Sequence, residues 1–244
     1  MTTTTVCQNI RFTVSATVFE QVLRRDLAEH PDILFLQEAG TDRDDIIEAV
    51  TKELGYAWAR THGGEPILWN AARFRLRYCK PVRLARAELV GHLPGRKDRL
   101  PTNIATEVGL DDLQAKNPDG QVVVALDYHL TAEVQFGAGY RKDRAHFLRV
   151  RRHKREKRRM GRRGRMHERR GHRVFLGGDG NFAGLQVGGF VNCWEGRSGG
   201  TLGGRAVDIV FADRKPLTLR TLDTAHPHPG PNEIDHDGLV VTYL

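Results

Sequence analysis

Apolar residues in the first third of the chain recur with the spacing of two helices and a buried strand. Phe19, Val22, Leu23 and Leu27 fall on one helical face, Thr17 and Glu20 have capping-box spacing, and Pro31 follows the end. The short apolar run Asp32-Ile-Leu-Phe-Leu36 then reads as a buried strand. A second helix carries Asp42, Asp44 and Asp45 in its first turn, where they complement the helix dipole. Its apolar face is Ile46, Ile47, Val50 and Leu54, and Gly55 closes it.

Further β-like runs lie at 66–69, 74–79, 121–126, 174–176, 206–211, 217–222 and 239–243, several of them bounded by turn residues. One more helix is expected to begin near Tyr140. Strands therefore dominate, and the mixture suits an α/β fold of two packed sheets with helices outside. No repeat or long linker divides the 244 residues, so a single domain over 1–244 is expected. At that length roughly 70% of the unfolded surface can be buried, so neither disulfide nor structural metal is needed for folding.

Charge changes the picture at one place. The net charge is +8, yet residues 141–173 hold 17 Lys and Arg against three acids, a net +14 that leaves −6 on the other 211 residues. Helical apolar spacing runs out after Val150, so a helix over 151–170 is polar on every side and has no face with which to dock on the core. A basic insertion or arm is expected at about 149–173. A bias toward arginine does not explain why acids are nearly missing there and common elsewhere. The expected partner is nucleic acid, DNA or RNA, bound through Arg151, Arg152, Lys154, Arg155, Lys157, Arg158, Arg159, Arg162, Arg163 and Arg165. A solvated arm or another anionic partner is the alternative. Such contacts go mostly to phosphates and carry little sequence information.

Cys7, Cys79 and Cys193 have no CxxC spacing, which argues against a disulfide framework or a zinc site and suits a reducing compartment. Residues 1–8 lack the basic-then-apolar order of a signal peptide, and no apolar segment approaches the roughly 20 residues that span a bilayer. A cytoplasmic protein without stable membrane insertion is expected.

Groups that bind metal or move protons belong at strand ends, where a rigid sheet holds them and loops admit substrate. Asn9, Gln37-Glu38, Asp127-Tyr-His129, Asp179-Gly-Asn181 and Asp235-His236 each stand beside an apolar strand run. Taken singly, most have a bland reading. Glu38 can be an exposed strand end, His129 a satisfied core histidine, and Gly177-Gly-Asp-Gly-Asn181 an ordinary turn. Asp208 resists one, because an acid between Ala-Val and Ile-Val-Phe must find a partner or a polar pocket.

In order and spacing, these fragments resemble the endonuclease/exonuclease/phosphatase superfamily, and the resemblance runs from Asn9 to Leu244. It implies a four-layer α/β sandwich of two mainly antiparallel sheets face to face, with helices on both outer faces. It implies a hydrolase dependent on Mg²⁺ or Mn²⁺, which suit hard oxygen ligands; with the basic segment, the expected activity is hydrolysis of phosphodiester bonds in nucleic acid. Glu38 would be the principal metal ligand, with Asn9 close by and Asp235 contributing. His236 would be the base that activates or orients water, with Asp208 holding its imidazole. Asp179 and Asn181 would position the nucleophile and a phosphate oxygen, and His129 would bind or protonate the scissile phosphate. The sequence departs from the common pattern at Ile234, at Asp127, which places a negative charge near the phosphate, and at Gly180 between Asp179 and Asn181. Two rivals stand beside this reading: the same fold acting on a phosphoinositide, phospholipid headgroup or small phosphate ester, and a non-enzymatic nucleic-acid-binding protein.

Overall fold

Strict alternation along four strands sorts the core into two layers. In β1 (Thr3–Asn9), β2 (Ile33–Gln37), β4 (Ile67–Asn70) and β14 (Gly238–Tyr243), the residues Cys7, Ile33, Phe35, Ile67, Trp69, Leu239, Val241 and Tyr243 share a core with a second sheet. Their neighbours Val6, Leu34, Leu36, Leu68 and Val240 face the other way. That outer side is covered by Phe19, Val22, Leu23 and Leu27 of α1 (Ala16–Ala28) and by Ile47 and Val50 of α2 (Asp44–Leu54). The computed structural model describes residues 2–93, 96–115, 122–132, 134, 144–202, 205–223 and 234–244, with side chains described outside 90–98 and 144.

The first sheet has the order β13-β14-β1-β2-β4-β3, with β3 at Tyr56–Ala59 and β13 at Thr218–Leu222. The second has the order β11-β12-β10-β9-β8-β5. Its strands are β5 (Phe74–Ala85), β8 (Asn103–Asp112), β9 (Val122–His129), β10 (Arg173–Asp179), β11 (Val191–Asn192) and β12 (Asp208–Ala212). A hairpin of β6 (Glu88–Leu93) and β7 (Arg96–Leu100) stands apart. α3 (Arg144–Glu168) packs on β5, β6 and β10, so the order of layers is helices, sheet, sheet, helix, as the resemblance implies. Neighbouring strands are antiparallel except β1–β2 and β9–β10. In each parallel pair the chains end side by side, Asn9 opposite Gln37 and His129 opposite Asp179. No helix among the described residues is long and apolar enough to cross a membrane.

Several expectations need correction. Ser15 caps α1 in place of the Thr17 box, accepting the Val18 N–H at 3.3 Å. Gly55 does close α2, in the left-handed region at φ 75°. Gly177 and Gly178 are the end of β10 and not a turn: a Cβ on Gly177 would stand 2.2 Å from Phe35 Cδ2 of the facing sheet. Tyr140 lies outside the described residues, and the helix expected from there is seen from Arg144.

The largest correction concerns the basic segment. Residues 144–168 are one continuous helix docked on the core, with Met160 fully buried. The absence of an apolar stripe suggested it could not dock, but glycine and paired charge take the place of apolar side chains. A Cβ on Gly161 would lie 2.8 Å from Val187 Cγ1, and one on Gly164 2.7 Å from Phe190 Cζ, so the backbone comes close. Buried Glu156 accepts from Arg152 at 2.9 Å and Asn103 at 3.1 Å. Buried Glu107 of β8 accepts from Arg163 at 2.6 and 2.9 Å and pairs with His167 at 3.1 Å. Burial pushes the Glu107 carboxyl up, but the bonds from His167 and Arg163 outweigh it and hold it at about 2. A buried charge is tolerated when its hydrogen bonds are complete.

Candidate active site

The two parallel strand pairs deliver four polar residues to one edge of the sandwich. Asn9 ends β1, Glu38 follows β2, His129 ends β9 and Asp179 ends β10. Asn9 lies between the sheets' contributions: its Nδ2 donates to Glu38 Oε1 at 3.0 Å and to Asp179 Oδ2 at 3.3 Å. The amide is oriented by the Arg11 N–H, which donates to Asn9 Oδ1 at 2.9 Å. The Phe12 N–H takes the other oxygen of Glu38, Oε2, at 3.1 Å. His129 Nε2 stands 3.7 Å from Asp179 Oδ2 and 4.0 Å from Glu38 Oε1.

Antiparallel β12 adds the next group. Its first residue, Asp208, pairs in register with Asp179. His236, two residues before β14, sets its Nδ1 at 2.6 Å from Asp208 Oδ2. The Thr201 hydroxyl donates to the same oxygen. Burial lowers the affinity of His236 for its proton, but the charge and hydrogen bond of Asp208 outweigh it and bring the group to about 10. Asp235 is partly buried next to it, and its charge acts in the same direction. Asp179 is raised to about 6, first by burial and then by the charge of Asp208. Its Oδ1 accepts the Asn181 N–H at 2.6 Å, and Asn181 Nδ2 donates to Leu130 O at 2.9 Å. Glu38 and Asn181 both have positive φ, 58° and 49°, strain that fixes these side chains where the loops turn.

The site suits a divalent cation. Asp179, Asp208 and His236 bring candidate ligand atoms within 4.8 Å of one another, and Asp208 Oδ1 is buried with no hydrogen-bond partner among the described residues. Glu38 adds a carboxylate that Asn9 links to the same cluster. Burial and the charge of Asp208 raise the proton affinity of Asp179, an environment that positive charge relieves, and hard oxygen donors suit Mg²⁺ or Mn²⁺.

Solved structures of the same architecture span 99% of this chain. An endonuclease/exonuclease/phosphatase from Bacteroides vulgatus is similar over 98% of its own length, with a TM-score of 0.68 at 13% identity and 99% of this chain covered. This is the endonuclease/exonuclease/phosphatase fold. D. rerio TDP2 complexed with a single-strand DNA product shares it over 99% of this chain and 98% of that one, at TM-score 0.60 and 13% identity. The mannosyl-6-phosphatase of Bacteroides thetaiotaomicron shares it over 99% and 100%, at TM-score 0.65 and 14% identity. No protein-family model and no curated protein sequence matches the chain.

Within the endonuclease/exonuclease/phosphatase fold, Asn9, Glu38, His129, Asp179, Asn181, Asp208 and His236 are brought together as expected from the sequence. Three neighbours were not singled out there. Glu65 Oε1 lies 4.0 Å from His129 Nδ1, and burial raises its carboxyl. It stands directly before the 66–69 strand run, the same signal that marks Asp235-His236. Thr201 fixes Asp208, and buried Gln8 donates from Nε2 to Asn9 O at 2.8 Å and His236 O at 3.2 Å. Asp127 is a correction: it does not add charge beside a phosphate. It faces β2, accepting from Gln37 Nε2 at 2.7 Å and Leu36 N at 2.9 Å, and burial pushes its carboxyl well above the usual range. Ile234 is a core residue of the outer layer.

The ten cations expected to hold nucleic acid divide. Arg152 donates to Arg86 O, Pro101 O and Glu156, and Arg159 to Leu84 O. Arg155 pairs with Glu88, Arg163 with Glu107, and Arg165 donates to Gly188 O. Arg151, Lys154, Arg158 and Arg162 are exposed, and Lys157 is half-buried.

Proposed function

We propose that this chain is a divalent-metal-dependent phosphodiesterase that cleaves nucleic acid. The observation that carries the reading is the meeting of Asn9, Glu38, His129, Asp179, Asn181, Asp208 and His236, drawn from separate strands and loops, at one edge of the sandwich. Together they offer carboxylates to hold a cation, an imidazole to take a proton and amides to orient a phosphate.

Glu38, which Asn9 hydrogen-bonds, would be the principal ligand for Mg²⁺ or Mn²⁺, with Asp235 contributing. When bound, the cation neutralises charge on the phosphate and the leaving oxygen. His236, its Nδ1 committed to Asp208, has Nε2 left to take the proton of an attacking water. Asp208 first, then Asp179 and Asp235, raise the affinity of this imidazole for the proton it would accept. The water oxygen bonds to phosphorus, the P–O ester bond breaks, and the leaving oxygen takes a proton from solvent to depart as an alcohol. Asp179 and Asn181 orient the water and one phosphate oxygen, and His129 contacts the phosphate.

The exposed cations of α3 support a polyanionic substrate, and a protein of this fold is seen with a single-strand DNA product. The mannosyl-6-phosphatase keeps a second reading in view, hydrolysis of a small phosphate ester, because fold does not fix substrate. The test is cleavage of supercoiled plasmid and labelled single-stranded RNA, with Mg²⁺ or Mn²⁺ and with chelator, by wild type, Glu38→Ala and His236→Ala. Metal-dependent cleavage by wild type alone is expected. A folded, metal-binding wild type that cuts neither polymer would transfer the function to the small-ester reading.

A further inference from the structure

The segment between β1 and α1 places an aromatic ring in water beside Glu38. Phe12 is 72% exposed, the most exposed large apolar side chain among the described residues. Its surroundings are not loose. Ile10 and Val14 on either side are buried, the Ile10 N–H donates to Gln37 O at 3.1 Å, and the Val14 N–H donates to Arg11 O at 3.2 Å. Arg11 is held in the left-handed region at φ 56°, and the Phe12 N–H is spent on Glu38 Oε2 at 3.1 Å. Of the four described non-glycine residues with positive φ, three (Arg11, Glu38 and Asn181) belong to this site, the pattern of strain retained for a task. A fixed loop with anchors on both flanks holds the Phe12 ring mostly in water, although the ring would be stabilised by burial.

We propose that Phe12 is a stacking platform for a nucleobase of the substrate next to the scissile phosphate. The proposal rests on the nucleic-acid reading above and narrows it: the substrate carries a planar base within one side chain's reach of Glu38. A base presents a π-face whatever its identity, so the contact tolerates sequence, whereas an inositol or hexose ring has no such face. The loop backbone thus positions Glu38 while its side chain selects for bases, and the phosphate contacts of α3 are a separate contribution.

The experiment uses short oligonucleotides with one cleavable phosphodiester, whose flanking sugars carry either bases or hydrogen. Wild type, Phe12→Ala and Phe12→Trp are compared by the ratio of kcat/KM on the base-bearing to the abasic substrate. Phe12→Ala should lower that ratio about tenfold or more, the range set by base–aromatic stacking, and Phe12→Trp should restore it. A ratio unchanged in Phe12→Ala, with wild type active and lost in His236→Ala, overturns the stacking role and leaves the nuclease reading standing. A wild type that cleaves no oligonucleotide overturns both.

Discussion

Glu156, in the middle of the basic helix, accepts both the backbone N–H and the hydroxyl of Thr131, each at 2.9 Å. Thr131 lies two residues beyond His129, whose own carbonyl takes the Asn103 amide that also reaches Glu156. One turn earlier, His153 Nε2 donates to Gly180 O at 2.8 Å, between Asp179 and Asn181. The helix therefore backs the two loops that carry three of the site residues. Glu156→Ala would leave Arg152 buried without its carboxylate, at a cost of about 3–5 kcal/mol. Read as a solvated arm, 151–170 should be dispensable for cleavage of a short substrate. As an outer layer of the fold it is not, and its deletion is expected to abolish both cooperative thermal unfolding and turnover. Circular dichroism melts beside the cleavage assay check this; a folded, active deletion would refute the buttress.

The outward cations should behave differently from the inward ones. Arg151, Lys154, Arg158 and Arg162 recur at helical spacing along one exposed face. Replacing all four with Ala should weaken nucleic-acid binding and reduce the slope of log K against log salt by about 0.7–0.9 for each phosphate no longer neutralised. The melting temperature should stay nearly unchanged. Arg163→Ala should instead destabilise the protein by on the order of 2 kcal/mol, because Glu107 stays buried with one partner fewer. A fourfold variant with the salt slope of wild type would place the polymer on another face.

A third expectation concerns pH. Asp26, on the buried face of α1, is fully enclosed, and its Oδ2 has no hydrogen-bond partner among the described residues. Burial raises its carboxyl from 3.8 to about 7, against the opposing pull of Arg25. The folded chain thus holds this proton more tightly than the unfolded one. Stability from this group is fully present below about pH 4 and is lost as pH rises toward and through about 7. The loss is on the order of a few kcal/mol. Asp26→Asn should remove that slope and raise the melting temperature at pH 8 by several degrees. Parallel melting curves for the two proteins between pH 5 and 8 would show that Asp26 does not titrate there.

What was legible in the sequence follows from where the information sits. Asn9, Glu38, His129, Asp179, Asn181, Asp208 and His236 each adjoin an apolar strand run, so a polar residue out of place betrays them locally. The helices α1 and α2 and the interior strands announce themselves by periodicity for the same reason. Gln8 and Thr201 do not: Gln8 matters through a bond to His236, 228 residues on, and Thr201 through a hydroxyl bond to Asp208 from a loop with no apolar run beside it. β8 escaped because Glu107 interrupts its apolar run and Asp111 and Asp112 end it, and their partners Arg163, Arg77 and Arg73 come from other elements. The docking of α3 was hidden the same way: its inner face is written in Gly161, Gly164, His153 and Glu156, which count as polar or neutral until the opposing surface is known.

Phe35 stands three residues before Glu38, Gly177 two before Asp179, and the two meet across the sandwich with no room for a methyl group. The distance between the sheets at that level sets the gap that Asn9 spans at the rim. A hydrogen atom in the interior is thus the gauge block for the spacing of two carboxylates at the sandwich's edge. Any larger side chain there would lever the halves apart at the end that matters, so a substitution the core could absorb as packing would still be registered at the rim as lost alignment.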